Sequence, residues 1–174
     1  MGSAARTGRE GSCRKSILAK GAMSTMEIKE LGHVVLFVKN LERSAHFYRD
    51  VLGFRPVVRD GPLGKALAFS TGRTHHELLL IEVGEDAPHP GTGFRSGMYH
   101  VGLKVGDTDD ELREAIDWLQ AEGVRIVGSS DHTVTHSLYV LDPDDNEIEL
   151  YIDVAGVDWS DPAAVLAPTK PLRI

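Results

Sequence analysis

Cysteine is nearly absent: the 174-residue chain has one, Cys13. Without a second thiol there is no intrachain disulfide and no cysteine-built metal site, as in proteins of a reducing cytoplasm. Long apolar runs are missing too. None approaches the roughly 20 residues that cross a bilayer as a helix, so no membrane is expected as a partner. Basic charge is scarce beyond the N-terminus. The net charge is −7; residues 1–25 hold Arg6, Arg9, Arg14, Lys15 and Lys20 against Glu10, leaving −11 on the remainder. So acidic a surface lacks a stripe for phosphates, which excludes nucleic acid as an expected partner. Residues 1–26 lack the apolar core of a signal peptide and are rich in Gly, Ser and Arg, so a disordered basic tail is expected there.

What is present is a pattern that occurs twice. The run Leu31–Val38 reads as a strand with His33 near its start and its bulky residues at Val34–Val38. Asn40 is a plausible N-cap, and Leu41, Ala45, Tyr48 and Leu52 share a helical face. Gly53 suits the residue after a helix C-terminus. Three strands are expected over Phe54–Arg59, Lys65–Ser70 and His75–Val83, with a turn at Asp60–Gly64. Residues 85–97, rich in Pro, Gly and Asp, read as a linker. The pattern then restarts. Met98–Val105 is an expected strand containing His100, Asp107–Asp110 a helix start, and Leu112, Ala115, Ile116 and Leu119 its apolar face. Glu122-Gly123 ends it. Val124–Val127, Ser137–Leu141 and Glu147–Asp153 are expected strands. The chain therefore divides into module one (27–84), module two (98–153) and a C-terminal extension (154–174). The expected class is α+β, two tandem βαβββ modules forming a curved mixed sheet around a cleft.

The duplication gives two histidines equivalent places. His33 and His100 are 67 residues apart, and each is followed by a helix and a glycine. One strand histidine alone is more often a hydrogen-bonded structural residue than a ligand. Glu149 changes the balance. It lies mid-strand between Ile148 and Leu150, where an ionised carboxylate needs a partner. Two histidines and one carboxylate form a facial set that leaves metal positions open for substrate. Glu149 is 26 residues after Gly123, and the same step from Gly53 reaches Leu79, so module one offers no fourth carboxylate in that register. Glu77 and Glu82 lie close enough to serve if the register slips.

The stretches around His33, Leu41–Phe54, His100–Leu103 and Asp142–Tyr151 resemble the vicinal oxygen chelate superfamily. That superfamily includes glyoxalase I, fosfomycin-resistance enzymes, methylmalonyl-CoA epimerases and extradiol ring-cleaving dioxygenases. Two further stretches resemble the extradiol branch. Thr74–Leu80 carries a His-His pair whose second member, His76, matches the acid/base. Asp131–Tyr139 carries Tyr139, matching a tyrosine that bonds the bound catecholate, and His132 near the same pocket. The family's turn glycine is replaced by Asp145, which tolerates the left-handed conformation. The resemblance implies Fe(II), with Mn(II), Zn(II) or Ni(II) as alternatives, held by His33, His100 and Glu149. It implies a catechol-type substrate, O2, and a cytoplasmic homodimer. Three rivals remain. A glyoxalase- or epimerase-type isomerase needs a fourth donor. A fosfomycin-type thiol transferase needs a basic pocket. A drug-binding resistance protein needs no metal.

Overall fold

The computed structural model describes residues 26–61, 64–89, 91 and 93–174. The chain divides into two units, Met1–Leu31 and Gly32–Ile174. Residues 26–31 of the first form no helix or strand, and Lys29 pairs there with Glu27. The tail expected before them lies outside the described residues, as do residues 62 and 63 of the turn expected at Asp60–Gly64.

The second unit is α+β and repeats a βαβββ module. Module one holds β1 (Val34–Val38), α1 (Leu41–Ala45), β2 (Arg55–Gly61), β3 (Gly64–Ser70) and β4 (Leu78–Glu82). Module two holds β5 (His100–Gly106), α2 (Asp109–Ala121), β6 (Ile126–Asp131), β7 (Thr135–Leu141) and β8 (Glu147–Asp153). The mixed sheet is carried as two four-stranded sheets, ordered β1-β4-β3-β2 and β5-β8-β7-β6. In each the first strand lies parallel to the last, and the other pairings are antiparallel.

Local chemistry explains most element ends. The Asn40 side chain accepts from the Arg43 amide, and Thr108 caps α2 in the same way through Glu111. Gly53 and Gly123 stand just beyond the helices with φ of +79° and +69°, where a Cβ would be strained. The helix expected over Leu41–Leu52 is α-helical only to Ala45. His46–Val51 continues as a π-helical turn closed by Leu52 N–H donating to the Phe47 carbonyl at 2.9 Å. The wider turn moves the inward stripe by one residue, so Val51 is buried in place of Leu52. The fourth strand also starts later than expected: His75 and His76 lie in the turn before β4.

Buried residues of both modules form one core. Leu36, Val38, Leu78 and Leu80 of module one join Leu138, Val140, Ile148 and Leu150 of module two. Polar contacts clamp the same junction. Tyr48 Oη donates to Asp142 at 2.9 Å, and Trp118 Nε1 donates to the Val51 carbonyl at 2.9 Å. Asp142 is 4% exposed and also accepts from the amides of Asp144 and Asn146. Asp145 completes that turn at φ +62°, the left-handed place expected for it. Asp144 reaches across to Arg43 and to the Lys39 amide.

The C-terminal stretch has a short helix, α3 (Pro162–Val165), capped by Asp161. Beyond it Lys170 pairs antiparallel with Asp131 through two 2.9 Å backbone bonds, and Leu172 and Ile174 pack on the core. Among the described residues no helix is long and apolar enough to cross a membrane.

The Tyr48–Asp142 bond is the most buried polar link between modules. Tyr48→Phe leaves an Asp142 oxygen short of a donor, with an expected cost of about 1–3 kcal/mol. Calorimetry should show a midpoint lower by roughly 2–10 °C; an unchanged midpoint would mean the link adds nothing.

Candidate metal centre

The period of two along β8 sets up the site. Ile148, Leu150 and Ile152 are buried, so Glu147, Glu149 and Tyr151 share the opposite face. The parallel register with β5 brings His100 opposite Glu147 and Gly102 opposite Glu149. A Cβ on Gly102 would stand 3.2 Å from Glu149 Oε2, so the glycine gives that carboxylate room. Glu149 Oε2 lies 3.3 Å from His100 Nε2.

β7 supplies the next group. Tyr139 is the direct cross-strand partner of Glu149. Its hydroxyl donates to Glu149 Oε1 at 3.2 Å and lies 2.7 Å from His132 Nε2. A hydroxyl that donates to the carboxylate can only accept from the imidazole, so His132 carries its proton on Nε2 in this arrangement. Burial, and then the Glu149 charge, push the Tyr139 hydroxyl up to about 12. It stays a donor throughout the physiological range. His132 sits in a tight loop: its amide bonds the Thr135 carbonyl at 2.9 Å, and Thr133, at φ +72°, donates to Asp131. The C-terminal stretch braces that loop through the Lys170–Asp131 bridge, with Lys170 Nζ 3.3 Å from Thr133 Oγ1.

Module one gathers a separate group. His33, expected inside the first strand, instead immediately precedes β1, and its ring centroid is 4.5 Å from that of His76 and 6.2 Å from that of His75. His75 and His76 face each other through their Nδ1 atoms at 2.5 Å. Desolvation, and then the charges of His75 and His33, hold His76 below the ordinary imidazole value. The neutral ring, which can accept a proton, therefore persists to lower pH.

His100, Glu149, Tyr139 and His132 thus meet on module two, while His33 and His76 meet on module one. Among the described residues no three His, Cys, Asp or Glu side chains form a ready metal cage. Two donors about 2.1 Å from an octahedral ion and at right angles lie about 3 Å apart. The 3.3 Å between His100 Nε2 and Glu149 Oε2 fits such a pair.

The register also locates the module-one counterpart of Glu149. Leu79 pairs with Val35 as Glu149 pairs with Gly102. Glu77 accepts from the Thr71 and Thr74 amides and the Thr71 hydroxyl at 3.0–3.1 Å. Glu82 accepts from the Leu41 amide and from Lys65. Both carboxylates are engaged in holding the fold. Sequence reasoning passed over Glu147 and Gly102; alternation along β8 gave the first signal, and a glycine inside a strand the second.

Similarity to known proteins agrees with this architecture. Residues 30–150 match the model of the Glyoxalase/Bleomycin resistance protein/Dioxygenase superfamily, and the chain belongs to that family. It is 32% identical over 136 residues to a catechol-2,3-dioxygenase of Bacillus subtilis, covering 78% of this chain and 46% of that protein. It is 30% identical over 131 residues to a lactoylglutathione lyase of Neisseria meningitidis, covering 72% of this chain and 92% of the lyase. The chain spans about half the length of the dioxygenase relatives it matches. A glyoxalase/dioxygenase structure from Nostoc punctiforme superposes with a TM-score of 0.61 at 21% identity, over 76% of this chain and 99% of the other. Family members include dioxygenases and lyases on one scaffold.

The engaged state of Glu77 can be measured. Burial opposes its ionisation, but the donors of the Ser70–Thr74 turn outweigh that and hold the carboxyl down at about 2. In the unfolded chain it titrates near roughly 4.3. Its contribution is therefore complete above that value and lost as pH falls from roughly 4.3 toward 2. Glu77→Gln should flatten the pH dependence of the urea midpoint across that window. Parallel curves for parent and variant would contradict the assignment.

Proposed function

We propose that the chain is a metal-dependent extradiol dioxygenase that opens a catechol-type aromatic diol with O2, and that it works in the cytoplasm. His100, Glu149 and His33 hold the ion, with Fe(II) the metal chosen. The observation that carries this reading is that, among the described residues, module one offers no free carboxylate at or beside the register place of Glu149. Leu79 stands where a second carboxylate would be, and Glu77 and Glu82 are bonded elsewhere. An isomerase of the glyoxalase type needs such a donor; a dioxygenase needs open positions.

Bound there, ferrous iron would act as a Lewis acid toward both diol oxygens and conduct electrons from the ring to O2. The protein's own groups have separate tasks. His76, kept neutral, takes a phenolic proton and later returns it. Tyr139, kept protonated, turns its one O–H from Glu149 to a substrate oxygen as charge develops, while its oxygen keeps the 2.7 Å contact with His132. Leu79, Val35 and Phe37 offer apolar surface to an aromatic ring.

His33 and the His100–Glu149 pair must meet for the full ligand set to form. Val35 and Phe37 follow His33 on the same strand face and are 45% and 69% exposed. We read that exposed apolar stripe as the face that a second copy covers, in a homodimer whose subunits share the centre. Mixing His33→Ala chains with Glu149→Ala chains should then recover part of the metal binding that each lacks alone. Recovery of none, with a monomer in sedimentation, would overturn the shared site.

Anaerobic loading with Fe(II), followed by a panel of catechols, tests the reaction. O2 uptake with a yellow ring-opened product is expected. His76→Ala should retain iron and lose 10²–10⁴-fold in kcat, and Tyr139→Phe on the order of 10–10²-fold. Bound iron with no O2 consumption on any catechol would sink the dioxygenase assignment.

A further inference from the structure

His100 lies between two carboxylates, of which the metal reading uses only one. The parallel β5–β8 register sets it opposite Glu147, and Glu149 follows on the same strand face. Nε2 faces Glu149 Oε2 at 3.3 Å, and Nδ1 faces Glu147 Oε1 at 3.6 Å. Those last two atoms, His100 Nδ1 and Glu147 Oε1, are buried without a hydrogen-bond partner. Buried polar atoms are almost always satisfied, so two that face each other unpaired require a physical reason. Their 3.6 Å separation is too long for a hydrogen bond. It is a contact held open by a few tenths of an ångström.

The tautomer supplies the reason. An imidazole that gives its Nε2 lone pair to a cation carries its proton on Nδ1, and that N–H needs an acceptor. Glu147 Oε1 is the buried acceptor opposite it. Module one shows what the same register position does otherwise. Glu77 stands in relation to β1 as Glu147 does to β5, but its oxygens are filled by Thr71 and Thr74. The duplicated position is saturated in one module; in the other Glu147 bonds Tyr99 but keeps Oε1 open beside the histidine.

We infer that Glu147 is a positioning residue for His100: its Oε1 accepts a hydrogen bond from Nδ1–H and turns Nε2 toward the ion shared with Glu149. This rests on the metal-centre reading above. A rival view makes His100 a charged imidazolium balanced between two glutamates, with no ion involved.

Co(II) titration of the full chain, followed by calorimetry and visible absorption, separates these. Glu147→Leu should bind Co(II) on the order of 10–100-fold more weakly than the parent. Glu147→Gln, whose amide oxygen can still accept from Nδ1–H, should recover most of that loss. Circular dichroism of the metal-free forms should be unchanged. In the Zn(II)-loaded protein, the 15N signal of His100 should show Nδ1 protonated, and its shift should move in Glu147→Gln as the charge is lost. That measurement decides the matter even if the leucine variant fails to fold. Equal Co(II) affinity in Glu147→Leu, or an unmoved Nδ1 signal in Glu147→Gln, overturns the inference. If Glu149→Gln alone loses Co(II), the metal reading stands and the role of Glu147 falls. A parent chain that takes up no Co(II) overturns both.

Discussion

The alternation of side chains along β8 is the constraint on which core and site both depend. Ile148, Leu150 and Ile152 fill the core, and that forces Glu147, Glu149 and Tyr151 onto the other face. Burying three aliphatic side chains contributes about 1.5–3 kcal/mol each relative to exposure. A one-residue slip would expose all three and drive two carboxylates into the apolar interior. The register is therefore held by packing energy, and the carboxylates next to His100 are held with it. Gly102 completes the device, since any side chain there would crowd Glu149.

A second constraint acts between modules. The Asp142–Asn146 turn closes β7 onto β8, and its carboxylates also reach module one, at Tyr48, Arg43 and the Lys39 amide. The turn that starts β8 is thus the turn that docks the two halves. Asp142 can be nearly buried because backbone amides, an asparagine and a tyrosine hydroxyl all donate to it. Replacing the usual turn glycine by Asp145 retains the left-handed geometry, and Arg125 lies 3.3 Å from its carboxylate.

Much of this was legible in the sequence because it rests on local periodicity. Caps at Asn40 and Thr108, glycines at 53 and 123, and the alternation over Glu147–Asp153 each follow from short-range rules. The duplication turned those rules into a fold class, and the Leu79–Glu149 equivalence carried over to the observed register. What escaped depends on contacts that no local pattern encodes. The π-helical turn arises because Phe47, Tyr48 and Val51 are all drawn inward. His75 and His76 leave the strand because Glu77 is pulled back by the amides of the Thr71–Thr74 turn. The C-terminal stretch pairs with Asp131, more than thirty residues away in sequence, and has no periodicity of its own. The separation of His33 from His100 is of the same kind, since equivalence by duplication does not imply proximity.

Divergence between the modules gives the site its direction. At matched register positions module one carries Val35, Leu79 and a saturated Glu77; module two carries Gly102, Glu149 and an unsaturated Glu147. One copy has become an apolar wall with a histidine group at its end. The other has become a polar face whose carboxylates, tyrosine and histidines are linked at 2.7–3.6 Å. The proposed aromatic diol would use both surfaces, its ring against the apolar wall and its oxygens toward the polar face. The asymmetry between two copies of one fold therefore gives each module its own surface chemistry.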